Sequence, residues 1–270
     1  MVLDVLLPPR RALREPWLIA VVSALFVSFG IAVQLLIPSL HGSAVIFAMV
    51  PAIPLVWTLL MHEERCEENA CYRFSSPLAG ERKFFEYHER LILVFAWFFL
   101  GAIVAYTAWF AALPTQSGNA VFSDQLSEVK AIQGLAAGTG RVFNEGRFFT
   151  LLAHNLQVLA LMFAFCVVYG VGSIYLLLWN ASIIGVVIGA KIKLEGFGGF
   201  ATGFLGLFPH GVFEVAAYFV ASIAGGVLSM ALARFKCNKR EMPMLVMDIV
   251  VLSVISLILL VIGSAIESSY

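Results

Sequence analysis

Long apolar runs separated by short polar stretches dominate the chain. Trp17–Ile37, Ser43–Met61, Leu91–Leu113 and Leu245–Ile266 each approach the roughly 20 residues that an α-helix needs to cross a bilayer. A further run, Phe148–Ala190, has 43 residues and no formal charge. One helix of that length would overshoot the hydrocarbon core about twofold. The run therefore predicts two spans joined by a hairpin near Gly170-Val171-Gly172. Residues 200–233 supply the remaining span. Pro209 lies inside it, and proline lacks a backbone donor and crowds the preceding turn, so a break, kink or helix start is expected there. A short re-entrant piece over 198–208 would follow from such a break. The pattern predicts an all-α integral membrane protein of about seven transmembrane helices. It divides into a two-span segment with a charged loop over 1–88 and a five-span membrane domain over 89–270.

Composition strengthens this reading. With 61% hydrophobic and 13% charged residues, the chain has too little polar surface to cover a soluble globule. The lipid bilayer is its expected surrounding. Net charge is zero and no long basic run occurs, which argues against a nucleic-acid partner. The first apolar segment is too long for a cleavable signal peptide and no small-x-small site follows it. With a cytoplasmic N-terminus, seven spans place twelve Lys and Arg residues inside and five outside. Treating 148–190 as a single span reduces that split to ten against seven. The hairpin topology is preferred, which puts the C-terminus outside the cell membrane.

Between Phe197 and Ala233 the only formally charged side chain is Glu214. An ionisable group in such a span is expensive, about 2.5–3.5 kcal/mol on insertion scales, and marks a functional position. His210 lies four residues earlier, on the same helical face. His154 and Asn155 fall at a similar depth at the start of the fourth span, and Asn180 falls near the midplane of the fifth. His154, Asn155, Asn180, His210 and Glu214 are thus the candidate intramembrane polar cluster. Two imidazoles and a carboxylate, His154, His210 and Glu214, would suit Zn²⁺ with an open position for water. The alternative is a hydrogen-bonded group that joins spans, which the membrane tolerates when every polar atom is satisfied. Gly185, Gly189, Gly211, Gly225 and Gly226 are candidate packing positions, since small residues let helices approach closely in lipid. They would serve a bundle or a homodimer equally.

Two connections add to the picture. The charged stretch 62–90 reads as a solvated cytoplasmic connector or a docking surface for a cytosolic or membrane partner. Its His62, Cys66 and Cys71 match no common zinc spacing. Outside, apolar residues from Val121 to Leu135 interleave with Asp124, Glu128 and Lys130, the pattern of an amphipathic helix that could cap the polar cluster.

The stretch from His210-Gly211-Val212-Phe213-Glu214 through Ala217, followed by Ala224-Gly225-Gly226, resembles the HGxxE signature of the stage II sporulation protein M family. Asn155-Leu156-Gln157-Val158 and Trp179-Asn180-Ala181-Ser182 resemble two other family stretches in the same order. The likeness runs over about 90–265. Its details look most like archaeal-type members, which carry two extra N-terminal spans. Where the family often has an Asn-Asn pair, this chain has His154-Asn155. The resemblance implies a multi-pass scaffold whose partners, in spore-forming bacteria, are cell-wall hydrolases. No P-loop, nucleophile elbow, dinucleotide fingerprint or H-E-x-x-H motif is present, so chemistry or energy would come from a partner. The expected role is a membrane scaffold or transport-associated subunit rather than a stand-alone enzyme. The alternatives are an intramembrane metal-dependent hydrolase and an ion- or proton-coupled channel or carrier.

Overall fold

Each apolar run of the sequence becomes a helix in the computed structural model, which describes residues 8–40, 42–71, 80–136, 145–170, 172–233 and 242–269. In chain order these are α1 Pro9–Arg14, α2 Trp17–Leu36, α3 Ala44–Cys71, α4 Gly80–Ala112, α5 Thr115–Val121, α6 Ser123–Ala136, α7 Glu145–Tyr169, α8 Ser173–Glu195, α9 Gly198–Ala233 and α10 Met242–Glu267. The described residues contain no strand. The protein is an all-α, multi-pass membrane protein. Among the described residues six helices are long and apolar enough to cross a bilayer: α2, the Ile92–Ala112 part of α4, α7, α8, the Gly198–Gly226 part of α9, and the Val246–Glu267 part of α10. The segment expected over Ser43–Met61 corresponds to the Ala44–Leu59 part of α3, which is apolar but shorter. The side chains of His62, Cys66 and Cys71 lie outside those described.

The uncharged run Phe148–Ala190 folds into the α7–α8 hairpin. Gly170 sits at φ +70°, a left-handed conformation that favours glycine, and its N–H closes the end of α7 by donating to the Cys166 carbonyl at 2.7 Å. The chain then returns as α8, the most buried of the candidate spans. This helix is central: α3, α4, α6, α7 and α9 all pack against it. Gly185 and Gly189 make the α4 approach close, since a Cβ on Gly185 would lie 2.5 Å from the Tyr106 Cβ and one on Gly189 3.0 Å from the Phe110 ring. On one side of α8, α2 packs on both α3 and α4; on the other, α9 packs on both α7 and α10.

The break expected at Pro209 is absent, and so is the re-entrant piece over 198–208. Helix α9 is continuous from Gly198 to Ala233, with Pro209 inside it. Packing on both sides of the proline explains this. Gly199 and Gly203 lie against the Lys191 and Ile188 backbone of α8, and His210 and Glu214 lie against Gly263 of α10. A proline removes one helical hydrogen bond, and neighbouring helices pack against both halves. At 36 residues, α9 extends about 54 Å, well beyond the hydrocarbon thickness. At the α8–α9 turn, Glu195 accepts from Lys191 at 3.2 Å and from the Thr202 hydroxyl at 2.5 Å.

Between α4 and α7 the described residues form two helices, where the sequence predicted one. Phe122, at the α5–α6 junction, is buried beside Phe110 at 5.4 Å and Tyr106 at 6.2 Å between ring centroids. Lys193 closes the nearby end of α4 by donating to the Leu113 carbonyl at 2.9 Å, with its ammonium 4.7 Å from the Phe110 ring centroid. Helix α6 packs chiefly on α8, so it covers this corner rather than the face that carries Glu214.

Gln34 joins the same corner from α2. It is almost fully buried; its carbonyl oxygen accepts the Ala44 N–H at 2.9 Å, and its amide donates to the Val121 carbonyl at 3.3 Å. One side chain thus caps the start of α3 and ties down α5. Gln34→Leu keeps the volume but leaves both backbone groups unbonded, so the expected loss is about 1–3 kcal/mol. A thermal midpoint in detergent equal to wild type would contradict that role.

Candidate functional site

The buried stripe of α7 runs through Leu151, Asn155, Leu159, Met162 and Cys166, at the three- and four-residue spacing of one helical face. Asn155 is the polar member of that stripe. Across from it, His210, Glu214 and Tyr218 occupy successive turns of α9. The Asn155 amide donates to the Glu214 carboxylate, Nδ2 to Oε1, at 2.6 Å. The Tyr218 hydroxyl donates to Asn155 Oδ1 at 3.2 Å. The amide orientation follows from its partners, because the carboxylate offers acceptors and the phenol offers a hydrogen. Both ends of Asn155 are therefore engaged with α9.

Helix α10 completes the site with its C-terminal turns. A Cβ on Gly263 would sit 2.9 Å from Glu214 Cγ and 3.3 Å from the His210 carbonyl oxygen, so α10 lies directly against Glu214 there. One turn later comes Glu267, whose charge acts on His210, Glu214 and Tyr218. Arg147, two turns before Asn155 on α7, acts on His210. The site gathers at the start of α7, the middle of α9 and the end of α10.

The candidates from the sequence separate here. Asn155 and Glu214 are in direct contact, and His210 lies one turn from Glu214 on the same helix. His154 is half-buried beside Asn155 and makes no hydrogen bond among the described residues. Asn180 donates to the Leu176 carbonyl of its own helix at 2.8 Å and makes no bond to another helix among the described residues. Among the described residues no three His, Cys, Asp or Glu side chains converge as a metal-ligand set. The zinc site offered by His154, His210 and Glu214 is therefore not assembled: helical geometry turns residue 154 about 100° away from residue 155, and it is Asn155 that meets Glu214.

The glycines divide similarly. Gly185 and Gly189 seat α8 on α4, and a Cβ on Gly225 would lie 2.7 Å from both the Cys166 Cβ and the Phe163 carbonyl oxygen of α7. Gly226 is in ordinary contact with the Gly170 carbonyl oxygen at 3.5 Å. Gly211, grouped with them on sequence grounds, faces open space, since a Cβ there would meet nothing within 4 Å. Sequence reasoning missed Tyr218, Gly263 and Glu267. Tyr218 carried a usable signal, lying four residues beyond Glu214, whereas Gly263 and Glu267 lie at the end of a span otherwise read as a plain apolar anchor.

Residues 91–269 match the family model described as Stage II sporulation protein M. An uncharacterized protein of Methanocaldococcus jannaschii is 31% identical over 123 residues, covering 44% of this chain and 68% of the relative. No solved structure matches the chain significantly. The family match takes in all three helices of the Asn155, Glu214 and Gly263 junction, and the chain belongs to the stage II sporulation protein M family.

Proposed function

We propose that the protein is a multi-pass scaffold of the cell membrane, or the membrane subunit of a transport assembly, with its N-terminus in the cytoplasm. The observation that carries this reading is how the intramembrane polar groups are used. Both ends of Asn155 are committed to bonds between α7 and α9, and Glu214 lies under the backbone of α10. Polar atoms so placed hold a bundle in one arrangement. Energy or chemistry would come from a partner protein or a second copy of the chain, bound on faces such as the exposed Phe200, Phe204 and Phe208 of α9 or Val250 and Val254 of α10.

The reading is tested by placing a photo-crosslinker, one position at a time, on those exposed faces in native membranes. A discrete adduct, either with itself or with one other membrane protein, is expected at one face and not at the others. It should persist in Glu214→Gln, whose carbonyl can still accept from Asn155, and weaken severely in Glu214→Ala. Absence of a discrete adduct at every position would contradict the scaffold reading. So would its loss in Glu214→Gln while that variant stays folded.

A further inference from the structure

The polar junction is open at one end and sealed at the other. Toward the start of α7 and the end of α10 it continues into His210 and Glu267, both of them half-exposed. In the opposite direction it stops at Tyr218. Below that residue lie Leu159, Met162 and Cys166 of α7, Ala221 and Ala224 of α9, and Leu252 and Leu260 of α10, all buried. The few hydroxyls in this layer turn back to their own helices: Ser222 donates to the Tyr218 carbonyl at 2.7 Å and Ser256 to the Ser253 carbonyl at 2.8 Å. At Gly225 the helices are so close that a methyl would lie 2.7 Å from atoms of α7, so this seam has no room for a file of water.

Glu214 is placed to use the open end. Its Oε1 is held by Asn155, and its other oxygen receives no hydrogen bond from the described residues. We propose that Glu214 is a reversible proton-binding site reached from one side of the membrane only, the side on which α7 begins and α10 ends. This goes beyond the scaffold reading. Binding forms one O–H bond on the carboxylate, and the proton comes from, and returns to, water on that side. The ionisable groups around Glu214 are His210 and Tyr218 from α9 itself and Glu267 from α10, with Arg147 of α7 acting on His210. From α8, Lys191 and Glu195 are paired with each other at the turn. Hydrogen bonds to an ionised acceptor are stronger than neutral ones, so the Asn155 bond that joins α7 to α9 weakens when the proton binds. The grip between these helices thereby follows the pH of one compartment.

Infrared difference spectroscopy of the full-length protein in proteoliposomes tests this directly. As the pH is lowered on the accessible side, a protonated carboxyl C=O band should appear. It should be lost in Glu214→Gln and have a displaced midpoint in Glu267→Gln, which removes a charge acting on Glu214. Asn155→Ala keeps Glu214 but removes its donor, so the band should remain at a changed frequency; this arm holds even if Glu214→Gln folds poorly. The proposal is overturned if no band depends on Glu214 or Asn155. It is equally overturned if the band follows pH on both sides, or if vesicles containing the protein dissipate a proton gradient faster than protein-free vesicles.

Discussion

Asn155→Ala is expected to lower the unfolding midpoint of the detergent-solubilised protein by an amount equivalent to about 1–3 kcal/mol. The truncation removes the donor to Glu214 and the acceptor of Tyr218 together, and the Tyr218 hydroxyl lies at the sealed end of the junction. The buried stripe around it, Leu151, Leu159 and Met162, stays in place and keeps the two helices adjacent. The Tyr218 hydroxyl is therefore left unpaired rather than resolvated. Glu214→Gln should cost less, because its carbonyl oxygen can still accept from Asn155. Hydrogen bonds between transmembrane helices average about 0.6 kcal/mol and reach about 1.7, so a loss above that range would reflect the penalty of the unpaired groups. Asn155→Ala with a wild-type midpoint would mean that the contact carries no stability.

Gly101→Ala is expected to be as damaging, for a steric reason. A single methyl at this position of α4 would run into the carbonyl of Ala20 on α2. Both partners are backbone and cannot rotate away, so the helices must separate, at a cost of about 1–3 kcal/mol or more. The separation also disturbs the Ser23 hydroxyl, which donates to the Phe98 carbonyl at 2.7 Å on the same seam. Gly211→Ala is the matched comparison, since a Cβ there has open space and alanine favours helix by about 1 kcal/mol. Unfolding midpoints of the two variants should fall on opposite sides of wild type, or Gly211→Ala should equal it. Equal losses at both positions would contradict the packing described for α2 and α4.

Much of the architecture was legible before any coordinates, because bilayer thickness converts apolar length into helices. The uncharged stretch Phe148–Ala190 had to turn, and Gly170 at φ +70° is where it turns. The helix does not break at Pro209 for an equally physical reason: a local rule about one missing hydrogen bond was outweighed by packing on α8 and α10, which a local pattern does not contain. The same limit applies to the site. Helical periodicity put Glu214 and His210 on one face, and depth brought Asn155 to their level. Which of two adjacent residues, 154 or 155, would meet Glu214 depends on how α7 is rotated, and that is set by packing of its whole stripe. Gly263 and Glu267 were invisible for a related reason, since only the placement of α10 against α9 gives a glycine near a chain end its meaning. Gln34 could have been suspected as an amide inside an apolar span, but its two partners, Ala44 and Val121, lie far apart in sequence, with α3 and α4 between them.

The junction of α7 and α9 is the central claim, and a double-mutant cycle between Asn155 and Glu214 measures it most directly. Wild type, Asn155→Ala, Glu214→Ala and the double variant would be unfolded reversibly in bicelles, with the coupling taken from the four free energies. A favourable coupling of about 0.5–2 kcal/mol is predicted, because each alanine removes the same bond and the second removal then costs less. Additive losses, with a coupling near zero, would contradict the account and leave Glu214 without the partner that joins these helices.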